Sequence, residues 1–249
     1  MARSTLYQQV AWELRRAIYS GDLGPGDQLP TEADLMQTHG VSRNTVRLAL
    51  GELVNEGLVS RTPRRGTIVR ARRPLLMYPQ RELEPRPSRA AREAFAFAVS
   101  QEGRRPSQVI EVAMVEPPED IAIRLELPDG GLAVVRRRLR FVDGQPYNTN
   151  DSYFPHAIVA ESEIVHPSDI LRGANRVLEE LGHPQVRVVD DISARMPTPV
   201  ESQRLELEPG TPVVEYVRVG YDPQGLPVRV AVSVLPADKH LIRYELERP

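Results

Sequence analysis

The stretch from Leu29 to Gly57, LPTEADLMQTHGVSRNTVRLALGELVNEG, is the feature that most constrains the fold of this chain. Thr31 can cap a short helix that Gly40 ends, and Ser42 can cap a second helix that Gly57 ends. Apolar residues recur in the second helix at helical spacing, with polar residues between them. The pattern predicts two short helices joined by a tight turn, with hydrogen-bond donors at the start of the second.

Elements on both sides of this stretch extend it to a small domain. Apolar residues at helical spacing predict a helix from Leu6 to Ser20, which Gly21 ends. After Gly57, the alternating run LVSRTPRRGTIVR predicts two short strands around the turn TPRRG. The segment from Arg61 to Arg73 contains six arginines and no acidic residue, so this hairpin is strongly basic.

Charge divides the chain at the same place. Residues 1–73 hold 11 basic and 7 acidic residues, whereas residues 74–249 hold 21 and 27, although the whole chain of 249 residues has a net charge of only −2. A basic N-terminal part is typical of domains that contact nucleic acid. We therefore expect a first domain at 1–73, a proline-rich linker at 74–88 and a second domain at 89–249.

The second domain has both strand and helix patterns. Alternating apolar runs predict long strands around the turns FVDGQP and YDPQGLP, and helices are expected at 89–101, 167–181 and 199–205. An antiparallel sheet with helices on one face is the expected arrangement, which makes this domain α+β.

Several chemistries have no support in the sequence. The chain has no cysteine, and its five histidines lack metal-ligand spacing, so no metal is expected. Nucleotide-binding loops and nucleophile motifs are missing as well, so neither a cofactor nor catalysis is expected. The apolar stretches are too short for a membrane span or a signal peptide, which predicts a cytoplasmic protein without a membrane partner.

The start of the second helix in the Leu29–Gly57 stretch has residue types that read DNA. Arginine can pair with guanine and asparagine with adenine, and hydroxyls at a helix N-terminus can reach phosphates. With YQQVAWELRRAIYSGDLGPGDQLP before it and RRGTIV after it, the stretch resembles the GntR family of bacterial regulators over residues 4–72. The resemblance implies a winged helix-turn-helix domain, mostly α-helical with a β-wing.

The same resemblance implies which residues contact DNA. Those implied for the major groove or its phosphates are Arg43, Asn44, Thr45 and Arg47, and those implied for the minor groove are Arg65 and Gly66 at the wing tip. Further candidates for DNA contacts are Ser42, Thr31, Arg64 and Tyr7. Ala33 stands where most relatives have an arginine, so one contact of the family is expected to be missing.

The second domain resembles the ligand-sensing UTRA domain of the HutC subfamily, whose α+β fold is shared with chorismate lyase. The matching segments are RRRLRFVDGQPYNTNDSYFP, LELEPGTPVVEYVRVGYDPQGLPV and DKHLIRYEL. In relatives that bind phosphosugars, two arginines before the D-G-x-P turn grip the phosphate, and they fall on Arg138 and Arg140. Alternation places both on one face of a strand, and the guanidinium fork suits an oxyanion.

Two positions depart from that pattern. Asn150 stands where those relatives usually have glutamate, and Arg229 stands where a second acid is common, which favours a more anionic ligand or no ligand at all. Tyr153 and Ser233 are candidates for lining the same pocket, although a core tyrosine and a sheet serine are the interpretations that the sequence favours.

Three functions remain open from the sequence. They are a DNA-binding repressor that responds to a small anionic effector, a repressor whose second domain only dimerises, and an enzyme of chorismate-lyase type with a DNA-binding domain. The first is the interpretation that the features together favour. Because one winged domain reads only a few base pairs, we expect a homodimer on a near-palindromic operator.

Overall fold

The computed structural model describes residues 5–62, 65–70, 74–82 and 94–246, and the chain divides into two units. The first unit contains α1 (Leu6–Ser20), α2 (Glu32–His39), α3 (Arg43–Asn55), β1 (Val59–Thr62) and β2 (Gly66–Val69). The predicted order of three helices and a hairpin is confirmed, and so are the predicted ends of α1.

Caps visible in the sequence fix the turn between α2 and α3. The Asp34 backbone N–H donates to the Thr31 hydroxyl at 3.2 Å, and the Thr31 N–H donates to the Asp34 carboxylate at 3.0 Å. The Thr45 N–H likewise donates to the Ser42 hydroxyl at 3.2 Å. Gly40 ends α2 with φ 62°, a left-handed conformation that glycine adopts without steric cost.

One apolar core joins all the elements of the first unit. Its buried residues are Val10, Ala11 and Leu14 of α1, Leu29, Leu35 of α2, Val46, Ala49, Leu50 and Leu53 of α3, and Val59 and Val69 of the hairpin. Each fully buried leucine of this kind contributes about 1.5–3 kcal/mol. Because α3 buries this stripe, its polar side chains lie on the opposite face.

The second unit is built on an antiparallel sheet, as the sequence predicted, and this sheet has six strands. Its strands are β4 (Pro106–Val115), β5 (Ala133–Val142), β6 (Gln145–Pro155), β7 (Arg187–Arg195), β8 (Val213–Tyr221) and β9 (Pro227–Pro236). The strand order is β4-β5-β6-β9-β8-β7. A separate two-stranded parallel sheet pairs β3 (Leu75–Met77) with β10 (His240–Ile242).

Short helices pack on both faces of this sheet. They are α4 (Ala94–Gln101), α5 (Glu119–Arg124), α6 (His156–Val159), α7 (Ala174–Glu180) and α8 (Pro199–Arg204), with 3-10 helices at Pro79–Glu82 and Glu163–Val165. The prediction of helices on one face is wrong, because α5 packs on the face of Val135, whereas α6 and α7 pack on the face of Val134. The helix expected at 167–181 is shorter than predicted, because Gly173 precedes α7 with φ 84°. Of the helices in the described ranges, none has the length and apolar composition that a bilayer crossing requires.

The sheet consists of two similar halves that sequence analysis missed. The segments RLELPDGGLAVV and RLELEPGTPVVE lie 80 positions apart, and each leads from a short helix into a long strand. Glu126 and Glu206 occupy the same place in the two segments, and both have a left-handed backbone, with φ 52° and 48°. The strands β4, β5 and β6 therefore correspond to β7, β8 and β9, and the two halves meet where β6 pairs with β9.

The two faces of the sheet differ in polarity. One face, called the apolar face, is mainly apolar: Val135, Tyr153, Val219 and Val230 pack there against Ile121 and Leu125 from the α5 region. The other face carries alternate polar residues of β5, β6, β8 and β9: Arg136, Arg138, Arg140, Asn148, Asn150, Ser152, Arg218, Arg229 and Ser233. Buried polar groups need hydrogen-bond partners, so the partners of these residues have to lie on or near this second face.

The segment predicted as a linker begins inside the second unit. Residues 75–77 form β3, which pairs with β10, and the Arg218 guanidinium donates to the Pro79 carbonyl at 3.0 Å. The prediction of a linker at 74–88 is therefore wrong for its first part, because strand pairing with a distant segment leaves no local periodicity to detect. Residues 83–93, which include the rest of the linker and the start of the helix expected at 89–101, lie outside the described residues.

A buried ion pair joins β7 to β8. The Arg218 guanidinium donates twice to Asp190 at 2.7 Å, and their side chains are 3% and 12% exposed. Burial raises the pKa of Asp190, but hydrogen bonds from Arg218 and Tyr244 outweigh this effect and hold that pKa below its ordinary value. The stabilisation is therefore present above the unfolded-state pKa of about 3.9 and is lost as the pH falls through the lower folded-state pKa.

We predict that Arg218→Leu destabilises the second unit by about 3–5 kcal/mol at pH 7, because it leaves the Asp190 charge buried without its cation. Urea unfolding of the full chain measures this, with the transition of each unit followed separately. Arg124→Leu is the matched control, since its pair with Asp191 is largely exposed and should contribute less than about 1 kcal/mol. Equal losses in the two variants would contradict the prediction.

Candidate functional sites

The first candidate site is the start of α3. The Ser42 hydroxyl caps the helix and lies 2.9 Å from the Thr45 hydroxyl, so the two form one hydrogen-bonded pair. Backbone N–H groups at this end carry the positive end of the helix dipole. The site thus combines hydroxyls with a positive potential, an arrangement that suits a phosphate oxygen.

Three exposed side chains lie in the first two turns of α3. Arg43, Asn44 and Arg47 all point away from the buried stripe of that helix. Arg43 is 69% exposed, and its Nε lies 3.8 Å from a Glu32 carboxylate oxygen, which is a weak surface pair. Its guanidinium is therefore available to a new acceptor at little cost.

The wing presents a second basic point. Its strands are antiparallel, with Thr62 opposite Gly66, and the Arg65 N–H donates to the Thr62 carbonyl at 3.1 Å. Arg65 and Gly66 are exposed, and Gly66 has φ 78°, which favours glycine. Arg64, a further candidate, lies outside the described residues.

Two other candidates have structural roles in the first unit. The Thr31 hydroxyl caps α2 and donates to the Asp34 carboxylate at 2.7 Å, so its proton is already used. This bond and the Thr31 backbone N–H hold the pKa of Asp34 below its ordinary value. Tyr7 is half-buried against the apolar core. For both residues a DNA contact stays a prediction.

The second candidate site is the polar face of the large sheet. Arg138 is 6% exposed, and its guanidinium donates to Asn150 Oδ1 at 3.3 Å and to Ser152 Oγ at 3.4 Å. The Asn150 amide in turn donates to Ser233 Oγ at 2.9 Å. The register of β5, β6 and β9 thus brings three of the predicted ligand-binding residues into one buried network.

Arg229 joins this network from β9. Its guanidinium donates to Ser152 Oγ at 3.2 Å and to Asn175 Oδ1 of α7 at 3.0 Å. Gln185 donates to the same Asn175 oxygen at 2.7 Å. Ser152 and Asn175 were not predicted as site residues; the alternation of Asn148, Asn150 and Ser152 along β6 is the signal that indicates Ser152.

Arg140 lies one step along the same face of β5. Its guanidinium stands 4.9 Å from the centre of the Phe95 ring, a cation–π contact. An open cleft of about 290 Å³ adjoins this region, and its lining includes Phe95, Gln108, Ile110 and Asp169. Ile110 and Gln108 lie opposite Arg138 and Arg140 in the β4–β5 pair, so the cleft lies against the polar face.

Tyr153 does not belong to this site, and its prediction as a pocket residue is wrong. It points to the apolar face, where it is 8% exposed and packs with Val135 and Val230. Burial raises the pKa of its hydroxyl. Asn150 and Tyr153 are three residues apart on one strand, so alternation alone separates their faces.

A neighbouring arginine has a purely structural role. Arg136 is fully buried, and its guanidinium donates to the carbonyls of Ile164 at 2.9 Å and Ser168 at 2.8 Å, and also to that of His166. These bonds hold the segment 163–168 against the sheet. Arg136 therefore supports the fold and is not exposed to solvent.

His240 contacts Asn148, which lies opposite Arg140 in the β5–β6 pair. It is buried, and burial lowers its pKa to about 3, so its ring is neutral near pH 7. Nδ1 lies 2.9 Å from the Pro236 carbonyl and acts as the donor, which leaves Nε2 to accept from the Asn148 amide at 3.2 Å. The ring adds no positive charge beside the arginines.

Comparisons with known proteins identify both units. Residues 6–69 match the bacterial regulatory proteins of the gntR family, and residues 101–240 match the UTRA domain. The HTH-type transcriptional regulator SCO4628 of Streptomyces coelicolor is 31% identical over 98% of this chain and 93% of its own. The Bacillus subtilis repressor NagR is 25% identical over 98% of this chain and 95% of its own.

Solved structures agree with these matches. A crystal structure of a GntR-family transcriptional regulator covers 99% of both chains with a TM-score of 0.70 and 25% identity. PhnF from Mycobacterium smegmatis covers 96% of this chain and all of its own with a TM-score of 0.60, and at 21% identity it shows the fold alone. The relatives are transcriptional regulators, not enzymes.

Proposed function

Given that this chain belongs to the GntR family of bacterial transcriptional regulators and carries a UTRA domain, we propose that it is a homodimeric repressor whose operator binding responds to a small anionic effector. The observation that carries the proposal is that one chain combines an exposed basic helix start in one unit with a buried network in the other. That network contains Arg138 and Arg229. The proposed place of action is the cytoplasm, where bacterial DNA lies.

The DNA-binding part of the proposal rests on α3 and the wing. Arg43, Asn44 and Arg47 are exposed at the start of α3, where recognition helices touch base edges. Arginine to guanine and asparagine to adenine are the pairings that read sequence there. Arg65 at the wing tip is proposed to enter the adjacent minor groove.

The ligand-binding part rests on Arg138 and Arg140. Both lie on one sheet face beside a cleft, and a guanidinium binds a carboxylate or phosphate through two parallel hydrogen bonds. A ligand there can change operator affinity only if it prefers one arrangement of the DNA-binding domains. The coupling then acts equally in both directions, typically with about 1–3 kcal/mol.

We predict that Arg43→Ala and Arg47→Ala each cost about 1–3 kcal/mol per half-site in specific binding, with unchanged far-UV circular dichroism. Fluorescence anisotropy on an operator selected from random duplexes measures this at constant salt. Arg16→Ala is the matched control, because it removes the same charge from an exposed position on α1. If it weakens binding as much as the α3 variants do, the assignment of the recognition helix fails.

The second prediction concerns assembly. We expect light scattering to give the mass of a dimer at micromolar concentration, and footprinting to protect two half-sites related by inverted symmetry. The half-site centres should lie about one helical turn or a multiple of it apart. A monomer that binds operator one to one would contradict the homodimer.

The third prediction tests the effector. A thermal-shift screen of phosphorylated and carboxylated metabolites should give at least one ligand that stabilises the chain and changes operator affinity roughly 5- to 150-fold. Arg138→Gln combined with Arg140→Gln should abolish both effects, whereas Arg187→Gln, an exposed arginine of β7, should keep them. A ligand that acts equally on the double variant does not bind at these arginines.

A further inference from the structure

We infer that a ring cluster of Phe95, Tyr147 and His240 couples the cleft beside the polar sheet face to β3, the strand with which the second unit begins. This inference rests on the proposed function, because it names the residues through which a ligand at that face acts on the DNA-binding unit. Tyr147 and His240 are then positioning residues, which act on the ligand site through Phe95 at the cleft wall.

The first observation is a continuous series of ring contacts that starts at the cleft. Phe95 lines the cleft, and its ring stacks on that of Tyr147 with 5.7 Å between the ring centres. The Tyr147 ring in turn lies 4.1 Å from the His240 ring, centre to centre. Because packed interiors leave few voids, Phe95 cannot move far without displacing the other two rings.

The second observation is that His240 belongs to β10 and lies opposite Leu75 of β3. The Leu75 N–H donates to the Lys239 carbonyl at 2.9 Å, and the Tyr147 hydroxyl donates to the same carbonyl at 3.3 Å. Leu75 and Tyr147 are also buried in the same apolar cluster. Tyr147 therefore supports β3 through a shared carbonyl and a shared core.

The third observation is that the pair of β3 and β10 is a small element. It consists of two parallel strands of three residues each, Leu75–Met77 and His240–Ile242. Parallel pairing is slightly less stable per residue than antiparallel pairing, and two strands alone are at best marginally stable in water. Contacts with the large sheet, those of Tyr147 among them, therefore hold this pair in place.

The place of β3 in the chain gives these contacts a consequence. The chain enters the second unit at Pro74, and β3 starts one residue later. Further along, the segment is fixed to the large sheet, because the Arg218 guanidinium donates to the Pro79 carbonyl at 3.0 Å. A movement of β3 is thus concentrated at the end that joins it to the DNA-binding unit.

Together these observations describe a coupling element. A ligand that displaces Phe95 changes the support of β3 from the side of the cleft. An operator that prefers one arrangement of the DNA-binding domains changes β3 from its other end. Because coupling between two sites is reciprocal, operator binding then alters the surroundings of Phe95. The coupling can therefore be measured with the operator as the only probe.

The experiment is amide hydrogen exchange of the full chain, measured by mass spectrometry with and without an operator duplex selected from random sequences. We expect operator binding to change exchange rates about twofold or more in residues 75–77 and 240–242, and also in α4, residues 94–101. α7 is the internal control and should not respond. If β3 responds without α4, if neither responds, or if α7 changes equally, the inference is wrong.

Variants locate the effect. Tyr147→Leu keeps an apolar side chain but interrupts the ring contacts, so the response of α4 to operator should disappear. Tyr147→Phe keeps the ring and removes only the hydroxyl, so it should retain most of that response. Tyr221→Leu is the matched control, because it replaces a half-buried tyrosine of β8 outside the ring cluster. A full α4 response in Tyr147→Leu, or an equal loss in Tyr221→Leu, would overturn the inference.

Phe95→Leu interrupts the ring cluster at its other end, where the side chain is only half-buried. It should likewise remove the response of α4 to operator. This variant decides the question if circular dichroism shows that Tyr147→Leu does not fold. An unchanged α4 response in folded Phe95→Leu would contradict the coupling through the rings.

The operator experiment also separates this inference from the proposed function. If an effector from the thermal-shift screen changes operator affinity although α4 does not respond to operator, the regulatory proposal stands and the coupling through the ring cluster is wrong. If α4 responds through Tyr147 but no screened metabolite changes operator affinity, the coupling stands and the effector response is contradicted.

Discussion

The pairing of β6 with β9 is the interaction on which the second unit depends. It joins two similar halves of the sheet, and it sets Asn150 opposite Ser233 and Ser152 opposite Ala231. Because side chains alternate between faces, a shift of this register by one residue would move Asn148, Asn150 and Ser152 to the apolar face. The network around Arg138 and the core under Tyr153 both follow from this single register.

Buried charge is the second constraint, since an arginine removed from water has to recover its lost hydration from the protein. The sheet meets this requirement in different ways. Arg136 donates to loop carbonyls, Arg218 pairs with Asp190, and Arg138 and Arg229 both donate to Ser152 Oγ. The first two arrangements fix the fold, and the third joins β5, β6 and β9 on the face where the ligand is proposed to bind.

The first unit has a simpler arrangement of its polar residues. Its three helices and hairpin bury one apolar stripe each, and the caps at Thr31 and Ser42 set the angle at which α3 begins. The polar residues of α3 are exposed because the stripe is buried, and no long-range network is needed to position them. A surface of this kind is set by local geometry.

The sequence by itself determined the features that depend on near neighbours. Apolar residues at helical spacing predicted α1, α2 and α3, and the cap residues Thr31 and Ser42 marked the starts of α2 and α3. Strand alternation predicted that Arg138 and Arg140 share one face. Only the tertiary structure decided that Arg229 lies beside Arg138, that the predicted linker begins with β3, and that Arg136 anchors a loop. These three features depend on which distant strands pair and in which register. Burial of the apolar surface of the whole sheet selects that pairing, and no short segment of the sequence encodes it.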